Sequence, residues 1–459
     1  MRVLFFTNPL TGRLRPLLPL ARSLRVQGHE VAFSTAVTMR SLLEPEAFEL
    51  LLFGATSDEV SAEVSRRKGA DVLFLPSGEL WAEHFAAARI DLLADEAVKR
   101  AEAWGPDLVI SEYCDLVGPL VATSLDVPCA VVSTGPSPSP GTLDSMARKV
   151  ADRYTERGLP PPSQVPSGRW LLDLCPPSLH PRGWSPPLRR VALRAEFAYE
   201  TAISPVRSAP VGDRPRVLLG PGTATGPSFG VATLRRSLRS LGIEVDATGE
   251  WRTPTGLRSD PHPVRAAESL PAGSGGKGVS AVLHNGSAEM TFAAAARGLP
   301  AVVLPTSPEQ QLRAQAVEVA GAGVVLRPGH QEPAMIAEGI ARLLDDARFT
   351  DAAHRIGGEM AGMPAPAEVG RWLAAAVSGK PRPRTPSDRS GTAGASGGRY
   401  AFQHLGGSSD VTTLEPGEDV AAHTGEVRRP RLPQHLPPGI GEDGQPSPPV
   451  LRAPLPPDE

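Results

Sequence analysis

The stretch from Ala281 to Leu326, AVLHNGSAEMTFAAAARGLPAVVLPTSPEQQLRAQAVEVAGAGVVL, constrains the fold more than any other part of the chain. Ala281-Val282-Leu283 is an apolar run short enough for a buried parallel strand. His284-Asn285-Gly286-Ser287 then turns into an alanine-rich helix through Ala296. A second strand, Ala301 to Leu304, ends at Pro305, and the acid-amide pair Glu309-Gln310 leaves the sheet's carboxyl edge before another helix. Strands that each hand on to a helix lie parallel, and open sheets of this kind take ligands at the carboxyl edge. The amides exposed at the helix start after Gly286 carry partial positive charge and favour a diphosphate.

The same alternation recurs along the chain. Val3 to Phe6 reads as a strand, followed by Leu17, Leu20, Ala21 and Leu24 at the spacing of a buried helix face, a stop at Gly28 and a strand at Val31-Ala32-Phe33. Further strands are expected at Val72 to Leu75, Leu108 to Ile110 and Ala130 to Val132, with a helical segment from Leu80 to Trp104. A second series opens at Val217-Leu218-Leu219 and passes a glycine-rich turn into a helix with Val231, Leu234, Leu238 and Leu241 on one face. Strands at Ile243 to Ala247 and Gly323 to Leu326 follow, then a helix carrying Ile336, Ile340, Leu343 and Leu344 and a last one near Ala367 to Val377. The expectation is two doubly wound α/β domains, 1–205 and 206–379.

Proline marks what lies between and after them. The chain has 50 prolines, crowded into Pro160 to Pro187 and the region after Gly379. Ser163 to about Thr201 accordingly reads as an extended connection with a short helix at most. Residues 380–459 are expected to be a disordered tail of Gly, Ser, Pro and charge, with too little apolar surface to offset ordering.

A net charge of -3 from 47 basic and 50 acidic residues excludes polyanion binding as the main function, whether of nucleic acid or of an anionic membrane. Cys114, Cys129 and Cys175 have neither metal-ligand spacing nor an even count, which fits a reduced, cytoplasmic setting. The opening apolar run breaks at Thr7-Asn8-Pro9, unlike a signal peptide, and no run approaches a membrane span.

Three separated motifs carry a resemblance. MRVLFFTNPLTGRLRPLLPLARSLRVQGHEV has glycine at Gly12, proline at Pro16 and Gly-His-Glu-Val at Gly28 to Val31. Leu172-Asp173-Leu174-Cys175-Pro176-Pro177-Ser178-Leu179 precedes the second series, and Ala281 to Leu326 completes the set. Together they resemble family 1 glycosyltransferases, especially the bacterial enzymes that decorate macrolides and other natural products, over roughly Met1 to Ser378. The resemblance implies the GT-B fold: two facing Rossmann-like domains, the first for the acceptor and the second for a nucleoside diphosphate sugar, linked to dTDP or UDP. That sugar nucleotide is a substrate, so no cofactor and no metal is expected.

In the family, the residue after the first glycine is a histidine or aspartate that takes the acceptor proton. Here it is Arg13, which stays protonated at physiological pH and cannot be that base. Arg13 either caps a loop or holds an acidic acceptor. Glu112 and Asp115, after the strand at Leu108 to Ile110, are the substitute bases the sequence offers, the other reading being solvated loop acids. His84, in WAEHFAAA, reads as a packed or exposed helix histidine.

On the donor side the resemblance implies a phosphate hydrogen bond from His284, backbone amides from Gly286, Ser287 and Ala288, and sugar-hydroxyl contacts from Glu309 and Gln310. The pair Glu309-Gln310 also reads as an ordinary helix N-cap region. Glu289 and Met290 depart from the family pattern: they put a carboxylate near the diphosphate and remove a hydroxyl, which Thr291 supplies if the turn shifts by one residue. Gly222 and Thr223 match the family's turn near the donor phosphates. The third glycine of Gly220 to Gly226 comes one residue late for a dinucleotide fingerprint. The run Ala272 to Gly278 replaces a short helix under the base. Two functions remain open: an active transferase, or an impaired homologue acting as a sugar-nucleotide binder or accessory subunit. A third, a nucleotide-sugar epimerase on the same two-domain fold, has no positive motif, and the partner state left open is a homodimer or an accessory pairing.

Overall fold

The computed structural model describes residues 1–69, 78–196, 214–220, 231–247 and 279–378. The strand expected at Val72 to Leu75, the candidates Gly222 and Thr223, the run 272–278 and the tail 380–459 lie outside the described residues.

The first half runs β1 (Arg2–Phe6), α1 (Thr11–Leu14), a 3-10 turn (Arg15–Leu17), α2 (Leu18–Val26), β2 (Glu30–Thr35), α3 (Arg40–Leu43), β3 (Glu49–Leu52), α4 (Ser57–Lys68) and α5 (Gly78–Trp81). A π-helical segment (Ala82–Ala88) joins α5 to α6 (Arg89–Trp104), followed by β4 (Leu108–Glu112), α7 (Val117–Ser124), β5 (Cys129–Ser133), α8 (Pro140–Glu156), β6 (Trp170–Asp173), a 3-10 turn (Pro177–Leu179) and β7 (Arg189–Ala192). The second half has β8 (Arg216–Gly220), α9 (Val231–Ser240), β9 (Glu244–Ala247), β10 (Ala281–His284), α10 (Ala288–Ala296), β11 (Ala301–Val303), α11 (Pro308–Val319), β12 (Gly323–Val325), α12 (Pro333–Asp345), α13 (Ala347–Ala361) and α14 (Pro366–Val377).

Two parallel sheets result, one ordered β3-β2-β1-β4-β5-β6-β7 and the other β12-β11-β10-β8-β9. Each reverses strand order once, between β1 and β4 and between β8 and β10, which is where doubly wound sheets open a ligand crevice. Leu17, Leu20, Ala21 and Leu24 are buried as the helical spacing requires, and Gly28 reverses the chain after α2 with φ +83°. In α9, Leu234 and Leu238 are buried, but Leu241 lies beyond the helix end and is 53% exposed.

The proline-rich stretch departs from expectation. Trp170-Leu171-Leu172-Asp173 is fully buried and pairs with β5, and Arg189–Ala192 pairs with it in turn, so the supposed connection supplies two sheet strands. The prolines sit outside both strands, where a missing N–H costs the ladder nothing. β3, which pairs with β2 as an edge strand, was not expected either. The final helix leaves the second sheet and packs on α2. Trp372 meets Trp170 edge-on at 5.4 Å, and Gln27 Nε2 donates to Ala367 O at 2.9 Å. Leu172, Cys175 and Leu179 share one apolar cluster with Phe292, Val317 and Ile356, so a common core joins the halves. Cys114, Cys129 and Cys175 are buried and unbridged. Among the described residues no helix is long and apolar enough to cross a membrane.

Candidate functional site

Arg13 follows β1 and Glu112 ends β4, so the switch point of the first sheet brings them together although 99 residues separate them. Arg13 Nη1 donates to Glu112 Oε1, and Nη2 crosses to the second half to donate to Glu309 Oε2 at 2.7 Å. Glu309 Oε1 accepts from Arg313 Nη1 at 2.7 Å, one helical turn on. Arg313 is anchored by Nε to Gly286 O at 2.7 Å and reaches Thr134 O at 3.5 Å. Two arginines and two glutamates therefore form a neutral chain across the cleft. Beside it Arg15 pairs with Glu289 at 3.4 Å, a second bridge between the halves.

Burial alone would ease the proton off Arg13, but the negative charges around it, Glu112 and Glu309 included, outweigh burial and hold the guanidinium charged more firmly than usual. Arg13 is thus no base, and it is committed to two carboxylates. Burial acts on Glu309 in the opposite sense, raising its carboxyl, yet Arg13 and Arg313 hold it down to about 2.

The substitute bases expected from sequence are both sealed. Glu112 is wholly buried and accepts from Asn8 Nδ2 at 2.8 Å and from the Cys114 amide at 3.0 Å besides Arg13. Asp115 is equally buried. Its Oδ1 accepts from the Val117 and Gly118 amides at the start of α7, and Oδ2 takes Arg89 Nη2 at 2.7 Å. Asp115 is a helix cap paired with an arginine, and both carboxylates are closed to solvent.

The donor-side expectations also sort by geometry. His284 is the last residue of β10, not part of the turn, and is 1% exposed. Its Nδ1 accepts the Gly286 amide at 2.9 Å, while Nε2 has no partner among the described residues. The ring lines a small cavity with Thr291, Leu179, Ala294 and Ile356. Burial, aided by Arg313, lowers its pKa to about 3, so the ring is neutral. Thr291 is 2% exposed on the same cavity and supplies no hydroxyl to the cleft.

Asn285, which sequence reasoning passed over, stands next in line. Its Oδ1 accepts the Ser287 amide at 3.0 Å, and its buried Nδ2 has no partner among the described residues. Gly286 takes φ +80°, and Ser287 caps α10 by accepting the Met290 amide at 3.4 Å. The amides of Ala288 and Glu289, the first two of α10, stay unpaired among the described residues. Met290 is buried against Leu218, Val282 and Ala293 and fills the space over Gly220.

Glu309 and Gln310 separate in role. Gln310 Oε1 folds back onto the Thr306 and Ser307 amides at 2.8 and 3.2 Å, completing a capping box with Ser307. Gln310 is the N-cap partner, and only Glu309 faces the cleft, with its side chain 27% exposed. Arg313 was also missed; its signal was the i, i+4 spacing after Glu309.

Two facing doubly wound domains with a polar cleft at both switch points define the GT-B glycosyltransferase class. Residues 80–194 match the N-terminal domain, and 234–376 the C-terminal domain, of the erythromycin biosynthesis protein CIII-like family. The L-demethylnoviosyl transferase of Streptomyces niveus is 31% identical over 392 residues, covering 82% of this chain and 98% of its own. The elloramycin glycosyltransferase ElmGT of Streptomyces olivaceus is 29% identical over 390 residues, 81% and 97% of the two chains. Among solved structures, SsfS6 of Streptomyces sp. SF2575 with thymidine diphosphate superposes with a TM-score of 0.64 at 25% identity, covering 82% of this chain and 99% of that one. The chain belongs to the CIII-like family of natural-product glycosyltransferases and is a transferase of that kind.

Proposed function

We propose that this chain moves a sugar from a thymidine or uridine diphosphate sugar to a hydroxyl group of a small natural product, the sugar nucleotide serving as substrate with no separate cofactor. The observation that carries this reading is the start of α10, where, among the described residues, the amides of Ala288 and Glu289 and the Nδ2 of the nearby Asn285 have no partner. Such a cluster of donors at a helix N-terminus suits a diphosphate and would stabilise it as it departs. Glu289 would repel that group, but its charge is met by Arg15. The thymidine diphosphate bound by SsfS6 and the TDP-daunosamine transferase DnrS of Streptomyces peucetius, 27% identical, favour thymidine as the base. Glu309 is the side chain to meet the donor sugar, once its bond to Arg13 gives way.

The test is to incubate the full chain with thymidine and uridine diphosphate glucose, with and without a panel of alcohols and phenols, and to follow diphosphate release and glycoside mass. Release from either donor supports transfer. Binding without release would favour a second reading, a sugar-nucleotide binder or accessory subunit. That reading is supported by Arg13 standing in the base position and occupying Glu309.

A further inference from the structure

Glycosyl transfer to an alcohol needs a group to take the hydroxyl proton, and the carboxylates near Arg13 are all engaged. Glu112 and Asp115 are sealed in the first domain, and Glu309 is held between Arg13 and Arg313. One titratable side chain beside Arg13 stands outside this network.

His84 lies in the π-helical segment Ala82–Ala88. The helix that continues through Arg89–Trp104 runs back to the start of β4, so its first turns stand over the carboxyl edge of the first sheet. Arg89 marks that edge, since its Nη2 donates to Thr7 O at 3.2 Å, just past β1. His84 comes five residues earlier, farther out over the crevice. The Arg13 guanidinium lies over the Phe85 ring at 4.8 Å, and the His84 ring packs edge-on to the same Phe85 at 4.7 Å. The imidazole is therefore one aromatic ring away from the position whose residue cannot act as base.

His84 is half-buried and makes no hydrogen bond among the described residues. A segment of π-helix is less stable than α-helix and gathers at functional sites, where it re-aims side chains. The neighbouring Glu83 does the structural work of the segment by pairing with Arg67 and Lys68 of α4 and Lys149 of α8, the last two of which also meet Glu79 of α5. The charges acting on His84 itself are Arg89 and Arg13.

We propose that His84 is the general base of the transfer, a role that rests on the glycosyltransferase reading above. The acceptor oxygen bonds to the anomeric carbon while the bond from that carbon to the diphosphate breaks. The electron pair leaves with the diphosphate, and the hydroxyl proton passes to a ring nitrogen of His84 and then to water. Burial, with Arg89 and Arg13 adding to it, lowers the imidazole pKa to about 4, which keeps the ring unprotonated at neutral pH.

The test compares the full chain with His84→Gln and His84→Ala, using thymidine diphosphate glucose as donor, an alcohol and an acidic phenol as acceptors, and thymidine diphosphate titration as the check on folding. His84→Gln is expected to bind thymidine diphosphate within about threefold of the parent and to lose about 100- to 10,000-fold in transfer to the alcohol. It should lose far less with the phenol, which ionises unaided, and added imidazole should restore part of the rate to His84→Ala. Transfer to the alcohol within threefold of the parent overturns the proposal, and so does an equal loss with both acceptors, which is the mark of a packing role. A parent that binds thymidine diphosphate yet transfers to neither acceptor overturns it too. A parent that binds no thymidine diphosphate overturns the donor reading instead, and this one with it.

Discussion

Arg13 and Glu309 meet across the cleft at 2.7 Å, joining the position that the family resemblance assigns to the base to the carboxylate proposed to meet the donor sugar. Each satisfies the other, so a sugar can reach Glu309 only by exchanging its hydroxyls for the guanidinium. Arg15 and Glu289 form a parallel bridge at 3.4 Å. The cleft of this chain is thus held by charge pairs at two of the places where its sequence departs from the family pattern, Arg13 and Glu289.

Removing Arg13 leaves Glu112 buried with no opposing charge, because Glu112 is 0% exposed. Breaking a buried pair from one side costs about 3–5 kcal/mol. Arg13→Ala is expected to lose stability on that scale in urea unfolding, and adding Glu112→Gln should recover much of it. A loss below about 1 kcal/mol for the single variant would contradict the buried pairing.

The carboxyl of Glu309 is held at about 2 in the fold against an ordinary 4.5. A depressed folded value means that the pairing stabilises the protein above about pH 4.5 and that this contribution is lost as pH falls toward 2. Glu309→Gln should flatten the acid limb of the stability curve in that window. An unchanged limb would show that Glu309 is not held by its arginines.

Gly286 is placed at φ +80°, and a Cβ there would stand 2.9 Å from the Gln310 carbonyl oxygen, which is backbone and cannot swing away. Gly286→Ala should therefore destabilise the protein by about 1–3 kcal/mol and weaken diphosphate binding. Thermal unfolding and a thymidine diphosphate titration check both halves of this; a neutral substitution would mean that the turn is built otherwise.

His284 and Asn285 should differ in diphosphate binding. His284→Ala orphans the buried Gly286 amide and should cost about 1–3 kcal/mol of stability. Asn285→Ala orphans the Ser287 amide as well and should cost stability on a similar scale, but it also removes the Nδ2 donor and should cost about 1.5–3 kcal/mol of diphosphate binding. A larger affinity loss in His284→Ala, at unchanged stability, would return the phosphate contact to the histidine.

His284 and Asn285 mark what sequence could and could not convey. Strands and helices with a plain apolar rhythm, such as β1, α2 and α12, were legible because burial imposes their periodicity locally. β6 was not, since its four buried residues sit within a proline-rich stretch whose composition argues for irregular chain. At the site, β10 runs one residue farther than its apolar run, and strand alternation then turns His284 inward and leaves Asn285 beside the helix start. Glu309 and Gln310 read as a unit, yet the helix start at Pro308 uses Gln310 to cap and sends Glu309 to the cleft. The partners Glu112, Arg13 and Glu309 come from three distant segments, and only the fold brings them within a hydrogen bond.

The central claim is that the start of α10 is a nucleoside diphosphate site, and calorimetric titration of the full chain with thymidine diphosphate tests it most directly. The account predicts saturable binding at one site per chain, weakened about 10- to 100-fold in Asn285→Ala, with a rise in unfolding free energy of about 2.7 kcal/mol at a hundred times the dissociation constant. No saturable binding at millimolar ligand, or equal binding by the parent and Asn285→Ala, would contradict it.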